Sequence, residues 1–229
     1  MREIVLDTET TGFDPTEGDR IVEIGAVELM NHLPTGRTYH QYINPERTMP
    51  AGAFEVHGLG DEFLRDKPVF ATIGQAFLDF IADAKLVIHN ASFDMKFLNY
   101  ELKKASFPEI PWPQAIDTLA IARQKFPGAA NSLDALCRRF GVDNSAREKH
   151  GALLDSEILA EVYLELIGGR QQGLSLAPTQ ANRTAGETED WRPRPRPTPL
   201  APHITPEEQA AHEAFIAKLG DAAIWPKRT

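Results

Sequence analysis

The order of the apolar segments constrains the fold of this chain more than any other feature. Short apolar runs suited to β-strands occupy residues 3–7, 20–29, 39–43 and 86–89. Apolar residues at helical spacing cover residues 68–82, 92–104, 132–140 and 151–167. The first three strands come without an intervening helix, and helices then alternate with a short strand. This order predicts an α/β fold with a mixed sheet that starts as an antiparallel meander and is flanked by helices.

The composition changes after about residue 170. Seven of the 17 prolines lie between Pro178 and Pro206, and alternating prolines favour an extended linker. A short helix should follow, because Thr205, Pro206 and Glu208 form a capping-box pattern and Gly220 suits a helix end. We therefore expect a folded domain, a flexible Pro-rich linker region and a short C-terminal helical segment, at residues 1–170, 171–203 and 204–229.

The composition also excludes several classes of protein. Cys137 is the single cysteine, so a disulfide framework and a cysteine-based zinc site are excluded, and its helical spacing places it in a helix core. The first residues lack the apolar stretch of a signal peptide, and no run reaches the roughly 18 apolar residues of a membrane span. A cytoplasmic protein is therefore expected. The net charge of −9 argues against tight binding of long nucleic acid.

Two carboxylates lie at the end of the first predicted strand. Asp7 and Glu9 are two residues apart, and in an extended chain such residues point to the same side. Acids held that close repel each other, and a hard divalent cation with oxygen ligands removes that cost. Taken alone, the pair is equally compatible with a solvated acidic loop.

A third acid follows the predicted strand at 86–89. Asp94 shares a helical face with Phe97 and Leu98, so it should face the core. A buried carboxylate needs a partner, helix amide groups or a metal ion. Taken alone, Asp94 is equally compatible with a helix-capping acid, although Asn90 is the residue expected to cap this helix.

The last predicted helix of the domain supplies a fourth acid. Asp155 lies in its first turn, and Leu159 at i+4 places it on the core face, whereas Glu157 lies on another face and should be exposed. His150 precedes it by five residues, in the loop before the helix. A loop histidine is usually just solvated, but near carboxylates and water it can serve as a base.

Together, four carboxylates and one histidine suit two-metal hydrolysis. Two divalent ions about 3.5–4 Å apart can clamp the attacking and leaving oxygens of a phosphodiester. A histidine can take the proton of the attacking water at neutral pH. An all-oxygen ligand set favours Mg²⁺ or Mn²⁺ and does not decide between them.

The three segments resemble the motifs of the DEDD exonuclease superfamily, in its histidine variant. Asp7 and Glu9 match the first motif, Asp94 the second, and His150 with Asp155 the third. The resemblance implies a ribonuclease H-like fold and 3′→5′ exonuclease activity that releases 5′-mononucleotides. It also implies that the four carboxylates are ligands of two metal ions and that the histidine is the general base.

The same resemblance, over about residues 1–170, implies residues that contact the substrate. It places three side chains near the terminal nucleotide of a single-stranded 3′ end, namely Thr8, Thr10 and His57.

Within this superfamily, residues 171–229 make the chain resemble the proofreading subunits of bacterial DNA polymerase III in particular. The segment Gln171-Gln172-Gly173-Leu174-Ser175-Leu176 is similar to the clamp-binding pattern Gln-x-x-Leu-x-Leu/Phe, although Leu176 stands where an aromatic residue is common. The resemblance implies sliding-clamp binding through Gln171, Leu174 and Leu176, and binding of the alpha subunit of the polymerase through residues 205–225. Six residues of this pattern also occur in ordinary loops.

Two other functions remain open at this point. One is a free-standing RNA or oligonucleotide exonuclease of the same superfamily, and the other is a polymerase accessory module with an inactive nuclease site. The long tail argues against the first, and the complete set of five motif residues argues against the second. The acidity fits a proofreader, because a polymerase and a clamp can hold it near the 3′ end at high effective concentration.

Overall fold

The computed structural model describes residues 1–145, 149–169 and 204–220. Residues 1–169 belong to one compact unit and residues 204–220 to another, and the two are described separately. The predicted linker and the clamp-binding residues Gln171, Leu174 and Leu176 lie outside the described residues.

The first unit contains one five-stranded sheet. Its strands are β1 (Arg2–Thr10), β2 (Ile21–Met30), β3 (Leu33–Tyr42), β4 (Lys85–Ile88) and β5 (Ala115–Asp117). Their order in the sheet is β3-β2-β1-β4-β5. The β1–β2 and β2–β3 pairs are antiparallel, whereas β4 lies parallel to both β1 and β5. The mixed sheet and its antiparallel meander are confirmed.

Two strands are longer than predicted. β1 continues past Asp7 to Thr10, because its pairing with β2 also continues: Asp7 lies opposite Gly25, and Glu9 lies opposite Glu23. The two acids thus lie inside a strand and not in a loop after it. β3 begins at residue 33 and not at residue 39, because the β2–β3 hairpin closes directly after Met30; the residues at the start of β3 are exposed and carry no apolar pattern.

The described residues of this unit also form seven α-helices. They are α1 (Ala51–His57), α2 (Asp61–Leu64), α3 (Phe70–Ile81), α4 (Ala91–Lys104), α5 (Thr118–Lys125), α6 (Leu133–Phe140) and α7 (Ala152–Leu166). The four predicted helices correspond to α3, α4, α6 and α7, each within two residues of the predicted ends. Sequence patterns missed α1, α2, α5 and strand β5, because these elements are short and bury few residues.

The core lies on both faces of the sheet. On one face, Leu6 packs in a cluster with Phe77 of α3 and Phe97 of α4. On the other face, Val5 packs with Leu159 of α7. Cys137 is buried in a smaller cluster between α6 and α7, as its spacing predicted.

A glycine lets α7 approach the sheet closely. A Cβ atom on Gly25 would lie 2.1 Å from the backbone of Ala152 at the start of α7. The Ser156 hydroxyl donates a hydrogen bond to the Gly25 carbonyl oxygen over 2.9 Å. Since Gly25 is paired with Asp7, this contact brings the first turn of α7 beside the acids of β1.

The second unit contains helix α8 (Pro206–Leu219). Its predicted capping box is present, with the Glu208 amide donating to the Thr205 hydroxyl and the Thr205 amide donating to the Glu208 carboxylate. Phe215 is 58% exposed and Leu219 is 37% exposed, on one side of the helix. In the described parts of the chain, no helix is long and apolar enough to cross a membrane.

Candidate active site

The site is built around the second half of β1. Alternation along the strand points Asp7 and Glu9 to the face covered by α7, and Thr8 to the opposite face. Asp7 is half-buried and Glu9 is buried. Pairing with β2 therefore holds two carboxylates in fixed positions at the centre of the sheet.

Asp94 approaches from the first turn of α4. Its side chain is 3% exposed, and the Thr8 hydroxyl donates a hydrogen bond to its Oδ1 over 2.7 Å. Burial raises the pKa of the Asp94 carboxyl to about 7, although the Thr8 hydrogen bond acts against that rise. The expectation that Asp94 faces inward is confirmed.

The predicted cap of α4 is only partly correct. Asn90 occupies the N-cap position, but it has a left-handed backbone (φ 66°) and its side chain makes no capping hydrogen bond. The backbone N–H of Asn90 instead donates a hydrogen bond to Asp117 Oδ1 over 3.2 Å. Asparagine tolerates this conformation better than most residues, so the turn brings the end of β4 directly into α4.

Asp155 and His150 come from the start of α7 and the loop before it. Asp155 is buried, Glu157 is exposed as predicted, and His150 is exposed. His150 Nδ1 lies 3.4 Å from Asp155 Oδ2. Ligand atoms of Glu9, His150 and Asp155 all lie within 4.8 Å of one another. Residues from β1 and α7, far apart in the sequence, thus meet within the reach of one ion.

These side chains line one cavity of about 790 Å³, which is within the range of ligand-binding pockets. The predicted site residues in its lining are Asp7, Thr8, Glu9, Asp94, His150 and Asp155. Four carboxylates facing one cavity repel each other, and a divalent cation with oxygen ligands would relieve that repulsion. The donor set therefore fits a divalent metal.

Two predicted substrate residues lie outside this lining. The Thr10 hydroxyl donates to the Gly12 carbonyl oxygen over 2.6 Å. His57 is buried at the end of α1, where its Nδ1 accepts a hydrogen bond from the Leu59 amide and burial lowers its pKa. Both are close to the site all the same: Thr10 follows Glu9 in β1, and the backbone amide of His150 donates to the carbonyl oxygen of Val56, next to His57, over 3.2 Å.

The structure adds two residues that sequence patterns did not single out. Asp117 ends β5 and accepts hydrogen bonds from the amides of Leu119 and Ala120, so it caps α5. Arg123, further along the same helix, lines the cavity. The Asp117-Thr118 pair is a usable helix-start signal, whereas nothing in the sequence near Arg123 indicates a cavity.

Comparisons with known proteins agree with this arrangement. The model of the family described as Exonuclease (RNase_T) matches residues 4–163. A protein of Rickettsia felis named DNA polymerase III subunit epsilon is 50% identical over 222 residues, covering 96% of this chain and 97% of that protein. The Escherichia coli protein of the same name is 46% identical over 235 residues, covering 98% of this chain and 97% of that protein.

A solved structure supports the fold independently. The nuclease domain of 3′hExo, described as a DEDDh family member bound to rAMP, aligns with a TM-score of 0.64 at 20% identity. The alignment covers 72% of this chain and 91% of that one. The five-stranded mixed sheet flanked by helices is therefore the ribonuclease H-like exonuclease fold that the motifs implied.

Proposed function

The chain belongs to the exonuclease family and, within it, to the epsilon subunits of DNA polymerase III, and from this membership we propose that it proofreads DNA synthesis. It would hydrolyse the 3′-terminal phosphodiester of a mispaired strand and release a 5′-mononucleotide. One observation carries the proposal. Asp7, Glu9, Asp94 and Asp155 come from three separate elements, and together with His150 they line a single cavity.

We propose that two divalent cations are held by Asp7, Glu9, Asp94 and Asp155. Oxygen ligands suit Mg²⁺ or Mn²⁺. Such ions, when bound, would polarise the phosphoryl oxygens and lower the pKa of the attacking water. Two contacts within the chain hold these ligands in place. The Thr8 hydroxyl donates a hydrogen bond to Asp94, and the hydrogen bond from Ser156 to Gly25 anchors the turn that carries Asp155.

His150 would act as the general base. An imidazole ring can take a proton from water at neutral pH, and Nδ1 of this ring lies 3.4 Å from the Asp155 carboxylate. The position of His150 in a loop, with half of its side chain exposed, leaves the ring open to solvent and substrate.

Thr8, Thr10 and His57 would contact the terminal nucleotide, Thr8 from the lining of the cavity itself. Support comes from the backbone hydrogen bond between His150 and Val56, which joins the end of α1 to the catalytic loop. Burial keeps the His57 ring neutral, so it would act through hydrogen bonding and packing and not through charge.

The C-terminal regions would connect the nuclease to its partners. The exposed Phe215 and Leu219 on α8 suit a helix that docks by its apolar side, here on the alpha subunit of the polymerase. The Gln171–Leu176 sequence would bind the sliding clamp, with Leu174 and Leu176 as the apolar anchors. Residues 1–170, 171–203 and 204–229 would then be the nuclease, the linker and the docking segment.

The test of the activity compares two acids on one helix. Purified protein with Mg²⁺ is incubated with 3′-mispaired DNA and with single-stranded RNA of the same sequence. We expect Asp155→Asn to lower the rate on DNA by on the order of a hundredfold or more, because it removes a metal-binding charge. Glu157→Gln, two residues away on the exposed side of α7, should keep full activity. Faster degradation of RNA than of DNA would instead favour the free-standing RNA exonuclease, and full activity of Asp155→Asn would refute the metal site.

The partner proposal has its own test. Deleting residues 178–229 should abolish capture by the polymerase alpha subunit in a pull-down and leave nuclease activity on single-stranded DNA intact. Capture that survives the deletion would remove the docking role from the tail. For the clamp, Leu174→Ala with Leu176→Ala should weaken binding to immobilised clamp, and unchanged binding would contradict the motif.

A further inference from the structure

The cavity extends well beyond the carboxylates, and only on one side of them. The acids lie at β1, in the middle of the sheet, and α1 with His57 follows the edge strand β3. The rest of the cavity lies on the opposite side, where β4 and β5 end, and is lined by residues of α5, of α6 and of the loop between them. We propose that this far side is a subsite in which Arg123 binds the backbone phosphate that lies 5′ to the scissile one.

The charge of the lining supports this assignment. Arg123 is the only lysine or arginine among the lining residues that the structure describes, whereas five of them are acids: Asp7, Glu9, Asp94, Asp134 and Asp155. Its guanidinium makes no hydrogen bond or ion pair with any described residue. An arginine with no such partner among the described residues, facing a cavity rich in acids, is available to an anionic ligand, and its planar fork matches the oxygens of a phosphate.

The surroundings of Arg123 suit a nucleotide. Three apolar side chains also line the cavity, as a sugar and a base require: Phe93, Leu119 and Leu133. The N-terminus of α6 opens at Ser132, also in the lining, and adds a partial positive charge. Gly128 also lines the cavity, and its φ of 76° and the open space around it leave that part of the rim clear.

The histidine near Arg123 does not add a second positive charge to this side of the cavity. His89 lines the cavity next to it, with its Nδ1 2.9 Å from the Thr118 hydroxyl oxygen. Burial lowers the pKa of the His89 ring, and the charge of Arg123 lowers it further. His89 therefore stays neutral, and the positive charge on this side of the cavity belongs to the arginine.

The direction of the strand follows from the two sides of the site. The inference rests on the proposed function, in which the terminal nucleotide lies near Thr10 and His57. The nucleotides that precede it must then leave the acids on the other side, toward α5 and α6. One nucleotide step takes the next phosphate away from the acids, and Arg123 is the cation on that side.

The experiment compares substrates that differ by one phosphate. The dinucleotide d(TpT) contains only the scissile phosphodiester, and d(TpTpT) adds one phosphate on its 5′ side. The measured quantity is the ratio of kcat/KM for the trinucleotide to that for the dinucleotide. We expect a ratio well above one for the unmodified protein, and a decrease of about tenfold for Arg123→Gln, since a charge-assisted hydrogen bond is lost. Arg123→Lys should keep part of the ratio, because it retains the charge and loses the fork.

A matched arginine serves as the control. Arg138 is exposed on α6 and does not line the cavity, so Arg138→Gln should leave the ratio unchanged. The same pair of oligonucleotides is also titrated in EDTA, where the affinity ratio reports the subsite without hydrolysis. In this assay Arg123→Gln should also reduce the dependence of trinucleotide affinity on salt, by about one unit in the log–log slope.

The outcomes separate the subsite from the activity. An unchanged ratio in Arg123→Gln, or an equal loss on both substrates, overturns the subsite while leaving the nuclease intact. Absence of cleavage of either oligonucleotide by the unmodified protein overturns the proposed function, and the EDTA titration still tests the subsite. A lower affinity ratio in that titration, specific to Arg123, supports it.

Discussion

Buried acids occur in two regions of this domain, and their surroundings differ. At the centre of the sheet, carboxylates face one another across a cavity. Elsewhere each buried acid faces a base or a hydroxyl group. Glu101 accepts two hydrogen bonds from Arg20, at 2.6 and 2.9 Å, and Glu3 lies 2.8 Å from both the Tyr163 hydroxyl and His32 Nδ1.

The difference shows what marks the site. Glu101 is 1% exposed and Glu3 is fully buried, so burial alone does not distinguish a catalytic acid from a structural one. The structural acids are compensated by neighbours of opposite charge or by hydrogen bonds, as buried charges must be. The site acids also have polar neighbours, such as Thr8 beside Asp94, but they lie beside each other as well, and a bound cation would relieve their repulsion. Substitutions in the first region should therefore affect activity, and those in the second should affect stability.

The largest expected effect is on catalysis. Asp7→Ala should lower exonuclease activity by on the order of a thousandfold, because it removes a proposed metal ligand. The free energy of unfolding without metal should stay the same or rise, since one repelling charge is gone. Single-turnover rates and urea unfolding in EDTA measure both. Full activity in this variant would remove the contrast between the two regions.

The next largest effect is expected at the buried ion pair of Arg20 and Glu101, which lies outside the cavity. Glu101→Gln leaves the Arg20 guanidinium buried without its counter-charge and should lower the free energy of unfolding by about 3 kcal/mol. Activity per folded molecule should not change. Glu157→Gln, an exposed acid, is the control and should lie within about 0.5 kcal/mol of the unmodified protein. A stable but inactive Glu101→Gln would mean that the pair serves the site.

Metal addition should stabilise the folded protein through the acids of the cavity and not through the buried ion pair of Glu101. At about a hundredfold above its Kd, Mg²⁺ should raise the free energy of unfolding by about 2.7 kcal/mol, because it binds the folded state. Asp7→Ala should reduce this gain and Glu101→Gln should retain it. Thermal unfolding with Mg²⁺ and with EDTA provides the comparison, and an equal gain in both variants would place the ion elsewhere.

The smallest effect concerns Tyr163. Tyr163→Phe removes the hydroxyl that donates to Glu3 and should cost about 1 kcal/mol at neutral pH. Burial raises the pKa of Tyr163 above its unfolded value of about 10, and the hydrogen bond to Glu3 adds to the rise. Its contribution is therefore fully present below pH 10 and is lost as the pH rises further.

The variant should accordingly lose less stability than the unmodified protein between pH 10 and 12. Part of the alkaline loss should remain, because burial also raises the pKa of Tyr39, to about 12. Urea unfolding across this pH range tests the prediction, and identical alkaline slopes would show that Tyr163 does not contribute.

Much of the site could be predicted from local patterns. Alternation in β1 placed Asp7 and Glu9 on one side, and helical spacing turned Asp94 and Asp155 toward the core. Alternation also points Thr8 away from Asp7 and Glu9, and its hydroxyl donates a hydrogen bond to Asp94. These residues were predictable because each orientation depends only on the period of its own element.

Other features depended on partners distant in the sequence. β1 extends to Thr10 because β2 pairs with it. Asn90 adopts a left-handed backbone conformation, and its backbone N–H donates to Asp117. Arg123 enters the cavity because β5 and α5 lie next to β4, an arrangement that no spacing around Arg123 indicates.

By itself, then, the sequence determined which residues face inward and in which order most of the helices and strands follow one another, because periodicity and capping are properties of local segments. The tertiary structure alone decided which of those residues meet. Strand order brought β4 beside β1, and Gly25 allowed α7 to approach near enough to place Asp155 and His150 within reach of Glu9. Such distances depend on packing between segments more than a hundred residues apart, and no local period encodes them.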